Sequence, residues 1–145
     1  MWQRVQTLYF AITVGLLAAL AFGSVATIMT PGAEPERVAY MSKLPYAVLI
    51  IIALLANLVA LFSWGHRPLQ IRLAGGSAVV ISALQGWLAF DYFTMPAEMV
   101  FRWTIILPII AVIFEILAIR GIYADELIVR SASRLRAAKR TTTKK

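Results

Sequence analysis

The sequence contains no cysteine and a single histidine, His66. Without cysteine there are no disulfides, no thiolate nucleophile and no cysteine-ligated metal or iron–sulfur centre. One histidine is too few for a multi-histidine metal site or for a haem held between two imidazoles. Charge is scarce too: 14% of residues are Asp, Glu, Lys or Arg, where a soluble domain carries about 25%. The only acidic cluster near the single histidine's side of the chain is Asp125-Glu126, a thin set for catalysis. The reading is therefore of a protein that is not an enzyme, with no catalytic residues, no metal and no cofactor.

What the chain has in excess is apolar side chain. Its 145 residues are 61% hydrophobic, and a water-soluble fold of that length has too small an interior to hide them. A bilayer removes the difficulty by acting as apolar solvent. Four apolar stretches stand out, at about 5–29, 44–64, 73–93 and 100–122. Each is close to the roughly 20 residues that carry a helix across about 30 Å of hydrocarbon. Helix is required because backbone polar groups in lipid must be bonded within their own segment, and the segments lack the alternation of barrel strands. The first stretch also exceeds the 7–15-residue core of a cleaved secretory signal, so it reads as a retained span. Pro108 falls inside the fourth and predicts a kink there.

The connections are short. Pro31-Gly32 and Pro35, then His66-Arg67-Pro68, then Thr94-Met95-Pro96-Ala97-Glu98 interrupt the apolar runs. Loops this brief force neighbouring helices to pack antiparallel. The expected fold is all-α: an integral membrane four-helix antiparallel bundle over residues 1–122, followed by a short basic cytoplasmic helix and disordered tail over 123–145.

Orientation follows from Lys and Arg. The N-terminus, the 64–72 loop and the tail hold Arg4, Arg67, Arg72, Arg120, Arg130, Arg134, Arg136, Lys139, Arg140, Lys144 and Lys145, whereas the opposite side holds only Arg37, Lys43 and Arg102. Both termini are thus expected in the cytoplasm, with the protein in a bacterial inner membrane. The net charge of +7 then serves orientation and attraction to anionic headgroups. Nucleic-acid binding is not expected, because no aromatic platform accompanies the charge.

Polar residues at membrane depth are the candidates for function. Glu115, Asn57, Ser82 and Gln85, with Thr13 nearby, are expected to form one intramembrane polar site. Asp91, Glu98 and Arg102 flank the last short turn and suggest an ion pair locking that hairpin. Small residues recur every four positions at Ala11, Gly15, Ala19 and Gly23, and again at Ala74, Ala78, Ser82 and Gly86. Such stripes allow close approach of helices, either within the chain or with a partner.

Three segments are distinctive: Met1-Trp2-Gln3-Arg4-Val5-Gln6-Thr7-Leu8-Tyr9, Arg67-Pro68-Leu69-Gln70-Ile71-Arg72-Leu73, and Asp125-Glu126-Leu127-Ile128-Val129-Arg130-Ser131 with Arg134-Leu135-Arg136. Together they resemble a family of small four-span inner-membrane proteins of Bacteroidota-type bacteria, known as a domain of unknown function. The resemblance implies no catalytic residue. It implies that specific interaction occurs on a cytoplasmic face formed by Gln3, Arg4, Gln6, Gln70, Arg72, Asp125, Glu126, Arg130 and Arg134. The expected role is that of a structural or accessory subunit, in contact with lipid and with other membrane-protein subunits. The alternative is a small transporter or channel using Glu115.

Overall fold

A computed structural model describes residues 2–63, 65–94 and 99–142, with side chains for 5–63, 65–94 and 99–133. Most of them lie in four helices: α1 (Trp2–Ala21), α2 (Leu44–Phe62), α3 (Arg67–Thr94) and α4 (Leu107–Thr142). Among the described residues, α2, α3 and α4 each contain a stretch long and apolar enough to cross a membrane, while α1 contributes the shorter apolar run Val5–Ala21.

Each helix turns one narrow line inward. On α1 it is Gln6, Phe10, Thr13, Leu17 and Leu20; on α2, Tyr46, Ile50, Ala53, Asn57 and Ala60. On α3 it is Gln70, Ala74, Ser77, Ile81, Leu84, Leu88 and Asp91; on α4, Leu107, Ala111, Glu115, Ala118 and Ile122. Every spacing is three or four, the repeat that keeps a side chain on one face of a 3.6-residue helix. α1 packs on α2 and α4, and α3 on the same two. Residues facing the other way stay apolar, among them Ile51, Leu55, Val59, Val79, Phe90, Ile109, Ile113 and Ile116.

The structure corrects the all-α expectation. Three short strands, β1 (Ser24–Ile28), β2 (Glu36–Ala39) and β3 (Met99–Phe101), form an antiparallel sheet in the order β2-β1-β3. β1 was expected to be the end of the first helix. Gly23 and the β-branched Val25, Thr27 and Ile28 favour extended backbone instead. Thr30, Pro31, Gly32 and Ala33 then turn the chain: the Ala33 N–H donates to the Thr30 carbonyl at 3.1 Å, and Gly32 has φ +87°. Proline followed by a residue at positive φ is the signature of a type II turn. Val25 and Ala26, on the central strand, are buried with Tyr40, Leu17, Ile50 and Leu84 beneath the sheet.

Helix boundaries shift as well. α3 starts at Arg67 rather than near residue 73, since Pro68 is tolerated in a first turn. α4 starts at Leu107, seven residues later than expected, because β3 and a 3₁₀ turn (Trp103–Ile106) precede it. Pro108 therefore sits in the first turn and initiates the helix instead of kinking it. At its other end α4 passes residue 122 unbroken and continues to Thr142, so the helix expected after residue 122 continues α4.

Gly23 joins α1 to the sheet at a point where no side chain fits. A Cβ there would lie 2.8 Å from the Ala19 carbonyl oxygen. Gly23→Val is expected to lower stability by about 1–3 kcal/mol, the usual cost of forcing extra carbon into a packed position. Gly15→Ala, whose Cβ would meet nothing within 4 Å, is expected to raise it by about 0.5–1 kcal/mol through the better helix propensity of alanine. Thermal unfolding of the purified chain compares the two.

Candidate functional site

The inward lines carry one polar residue each at the same level: Thr13, Asn57, Ser77 and Glu115. Apolar clusters lie on both sides. Toward the sheet are Leu17, Ala53, Ile81 and Ala111; toward the far end are Phe10, Ala60, Ala74 and Ala118. The layer is thus enclosed along the helix direction as well as sideways, and Glu115 and Asn57 are each 0% exposed.

Asn57 is its centre. Its Nδ2 lies 2.6 Å from Ser77 Oγ, 2.6 Å from Glu115 Oε1 and 3.0 Å from the Ala53 carbonyl oxygen. The two N–H groups of the amide are shared among these three acceptors, and the contacts to Ser77 and Glu115 tie α2 to α3 and α4. Thr13 donates to the Tyr9 carbonyl at 3.0 Å within its own helix. Two acceptor atoms, Asn57 Oδ1 and Glu115 Oε2, are buried without a hydrogen-bond partner. Among the described residues no basic side chain pairs with Glu115.

Glu115 and Asn57 meet. Ser82 does not join them: it is exposed and donates to the Ala78 carbonyl at 2.7 Å. Gln85 is half-buried, with its Oε1 unpartnered, and takes no part in the Asn57 contacts. Ser77 takes the place expected of Ser82. A strict four-residue stripe turns about 40° around the helix at each step, so counting 74, 78, 82, 86 walks off the inward face that 74, 77, 81, 84 follows.

At the sheet end the expected Asp91–Arg102 pair is replaced. Asp91 Oδ2 accepts from Lys43 Nζ at 3.1 Å and from the Tyr46 hydroxyl. The reason is position: β3 carries Arg102 away to the sheet, where its N–H bonds the Val25 carbonyl at 3.0 Å, while α2 begins beside the end of α3. Glu98 lies outside the described residues. Nearby, the Tyr40 hydroxyl meets Thr104 Oγ1 at 3.2 Å, and Thr104 donates to the Ser24 carbonyl at 3.0 Å. Burial pushes the Tyr40 phenol above its usual range.

The face expected at the opposite end is only partly formed. Gln6 and Gln70 turn inward, and Gln70 Nε2 donates to the Ala60 carbonyl at 3.0 Å. Arg72 is exposed. Asp125 pairs with Arg67 at 2.8 Å, joining the start of α3 to the extension of α4, and Glu126 pairs with Arg130 at 2.5 Å. The side chains of Gln3, Arg4 and Arg134 lie outside the described residues. Arg67 was the missed member, and its place within the distinctive 67–73 segment was the available signal.

Three long apolar helices, outward faces of aliphatic and aromatic side chains and polar groups turned in on each other mark a membrane protein. The chain matches the family described as Domain of unknown function (DUF4293) over residues 2–135, and it belongs to that family. No curated protein and no solved structure matches it.

Proposed function

We propose that this protein is a non-enzymatic accessory subunit of the bacterial inner membrane, crossing it four times as an antiparallel bundle with both termini in the cytoplasm. α1 supplies the fourth crossing: its 20 residues extend roughly 30 Å at 1.5 Å per residue, the depth of the hydrocarbon. The observation that carries the accessory role is the direction in which α1 turns its small residues. Ala11, Gly15 and Ala19 are exposed, and a Cβ at Gly15 would meet nothing within 4 Å. The stripe does not serve packing within the chain, and in lipid such a strip is where a second helix comes close. The absence of enzymatic activity is supported by the engagement of Asp125 and Glu126 in ion pairs.

Affinity purification of the full chain in mild detergent tests this reading. A reproducible membrane-protein partner is expected, and Gly15→Leu is expected to release it without lowering the chain's unfolding temperature. Recovery of a lone monomer would count against the role, and a reporter fusion placing the tail outside the cell would overturn the orientation.

A second reading, proton or small-cation transport, is favoured by one observation: Asn57 Oδ1 and Glu115 Oε2 are buried acceptors with no donor. Flux in reconstituted vesicles that Glu115→Gln abolishes would establish it; vesicles that stay tight would dispose of it.

A further inference from the structure

Past the Arg67–Asp125 pair, α4 outruns the bundle. From Leu127 to Ser133 every residue is exposed, so about two turns of helix are open all the way round. Those turns are not polar: Leu127, Ile128 and Val129 are 67%, 57% and 50% exposed. Helical spacing puts Leu127, Ile128, Ser131 and Leu135 on one face of α4. By the same spacing Arg130 and Arg134 follow one border of that face and Lys139 the other. Arg130, Arg134, Arg136, Lys139, Arg140, Lys144 and Lys145 follow Glu126, with no acidic residue among them. A short helix alone in water is marginally stable, and this one carries an apolar strip between cationic borders.

We infer that this extension is a docking arm for an acidic amphipathic helix of a partner protein. The partner's apolar residues pack along Leu127, Ile128 and Leu135, and its carboxylates face the basic borders. Charge and reach select that occupant. A second copy, in either direction, would set one basic border against another, and like charges beside an apolar seam oppose pairing. Headgroups account for the first turn only. The polar layer of a bilayer is roughly 5–7 Å deep on each side, and its charge acts over roughly 8 Å beyond that. The unbroken helix from Leu127 to Thr142 runs roughly 24 Å at 1.5 Å per residue, so its far turns lie out of reach of lipid. The inference rests on the reading that the bundle spans a bilayer, and it adds to the α1 contact of an accessory subunit a second contact of stated chemistry.

The test uses the full chain in phosphatidylcholine nanodiscs and a labelled synthetic three-heptad peptide with leucine at a and d and glutamate at e and g. Fluorescence anisotropy is expected to show binding, and a peptide with lysine at e and g is expected to bind at least about tenfold more weakly. Ile128→Ser with Leu135→Ser is expected to weaken the acidic peptide about tenfold by removing the apolar strip. Arg134→Gln with Lys139→Gln is expected to weaken it about fivefold and to remove most of its dependence on salt. Val129→Ser, off the strip, should leave it within about twofold. Equal binding of the acidic and basic peptides overturns the inference, as does a Val129→Ser loss equal to that of the strip variant. A lipid occupant is tested separately. The chain has no cysteine, so Ser131→Cys takes a single nitroxide label, which in phosphatidylglycerol nanodiscs is expected to meet a water-soluble relaxing agent. A label that meets only lipid-soluble oxygen gives the arm to the membrane and overturns the inference, and a dimer that the strip variant splits gives it to a second copy and does the same. The membrane reading fails differently, by the chain remaining monodisperse with no detergent at all.

Discussion

Asn57→Leu is expected to lower the stability of the detergent-solubilised protein by about 2–4 kcal/mol, and adding Glu115→Leu is expected to restore most of the loss. The reasoning turns on which of two effects is larger. A hydrogen bond between helices within a membrane contributes only about 0.6 kcal/mol on average and about 1.7 at most. Stranding a carboxylate at the centre of a bilayer costs about 2.5–3.5 kcal/mol. Asn57 donates to Glu115 Oε1 at 2.6 Å, with Ser77 the other side-chain hydrogen-bond partner of that carboxyl. Its removal therefore exposes the second cost, not just the first. Replacing both groups by leucine removes the polar demand along with the bond, and paired replacement of that kind is often close to neutral. Glu115→Gln keeps an acceptor for Asn57 and should change little. The unfolding midpoints of the three variants decide the matter: a double variant no more stable than Asn57→Leu would mean that the layer is held by packing and not by the need to satisfy Glu115.

Residue patterns made the helical part of this fold legible, and the physical reason is simple. A helix in oil satisfies its own backbone, so an apolar run of the right length is nearly sufficient to specify it. Even there, the ends were read poorly. Proline looks like a breaker anywhere in a run, yet Pro68 and Pro108 both lie in first turns, where a missing N–H loses no bond. The sheet escaped notice because β1 is five residues of apolar and β-branched sequence attached to an apolar helix, and one of its two partners, β3, lies far along the chain. Composition cannot separate such a strand from one more turn of helix. In the polar layer, Glu115 and Asn57 stood out by chemistry, since so few polar groups occur in the spans. Choosing between Ser77 and Ser82 depended on which face of α3 turns inward. Asn57 and Glu115 sit between small inward residues, Ala53 and Ala60 on α2 and Ala111 and Ala118 on α4, and the same three-four alternation on α3 leads from Ala74 to Ser77.

Asp91→Leu is expected to have an effect nearly as large, about 2–3 kcal/mol, but confined to the sheet end. Asp91 is the acceptor on which two groups of the α2 start converge, the Lys43 ammonium at 3.1 Å and the Tyr46 hydroxyl. Breaking a buried ion pair costs about 3–5 kcal/mol when the remaining charge is trapped. Lys43 is not fully trapped, with 24% of its side chain exposed, and its ammonium also lies 5.4 Å from the centre of the Tyr46 ring. It can turn toward water or onto the ring face, so the loss falls below that range. Tyr46 has no such escape: it is 0% exposed, and losing its acceptor leaves a buried hydroxyl to satisfy. The two contributions separate in simple variants. Asp91→Asn keeps an oxygen for Tyr46 while removing the charge, and should lose about 1 kcal/mol. Tyr46→Phe in the Asp91→Leu background should recover part of the loss by removing the stranded hydroxyl. Limited proteolysis supplies the location, since loosening the start of α2 should speed cleavage in the 29–35 turn region and leave the α4 extension unaffected. If Asp91→Leu and Asp91→Asn shift the unfolding temperature equally, the charge pair with Lys43 carries the whole effect and the Tyr46 bond adds nothing.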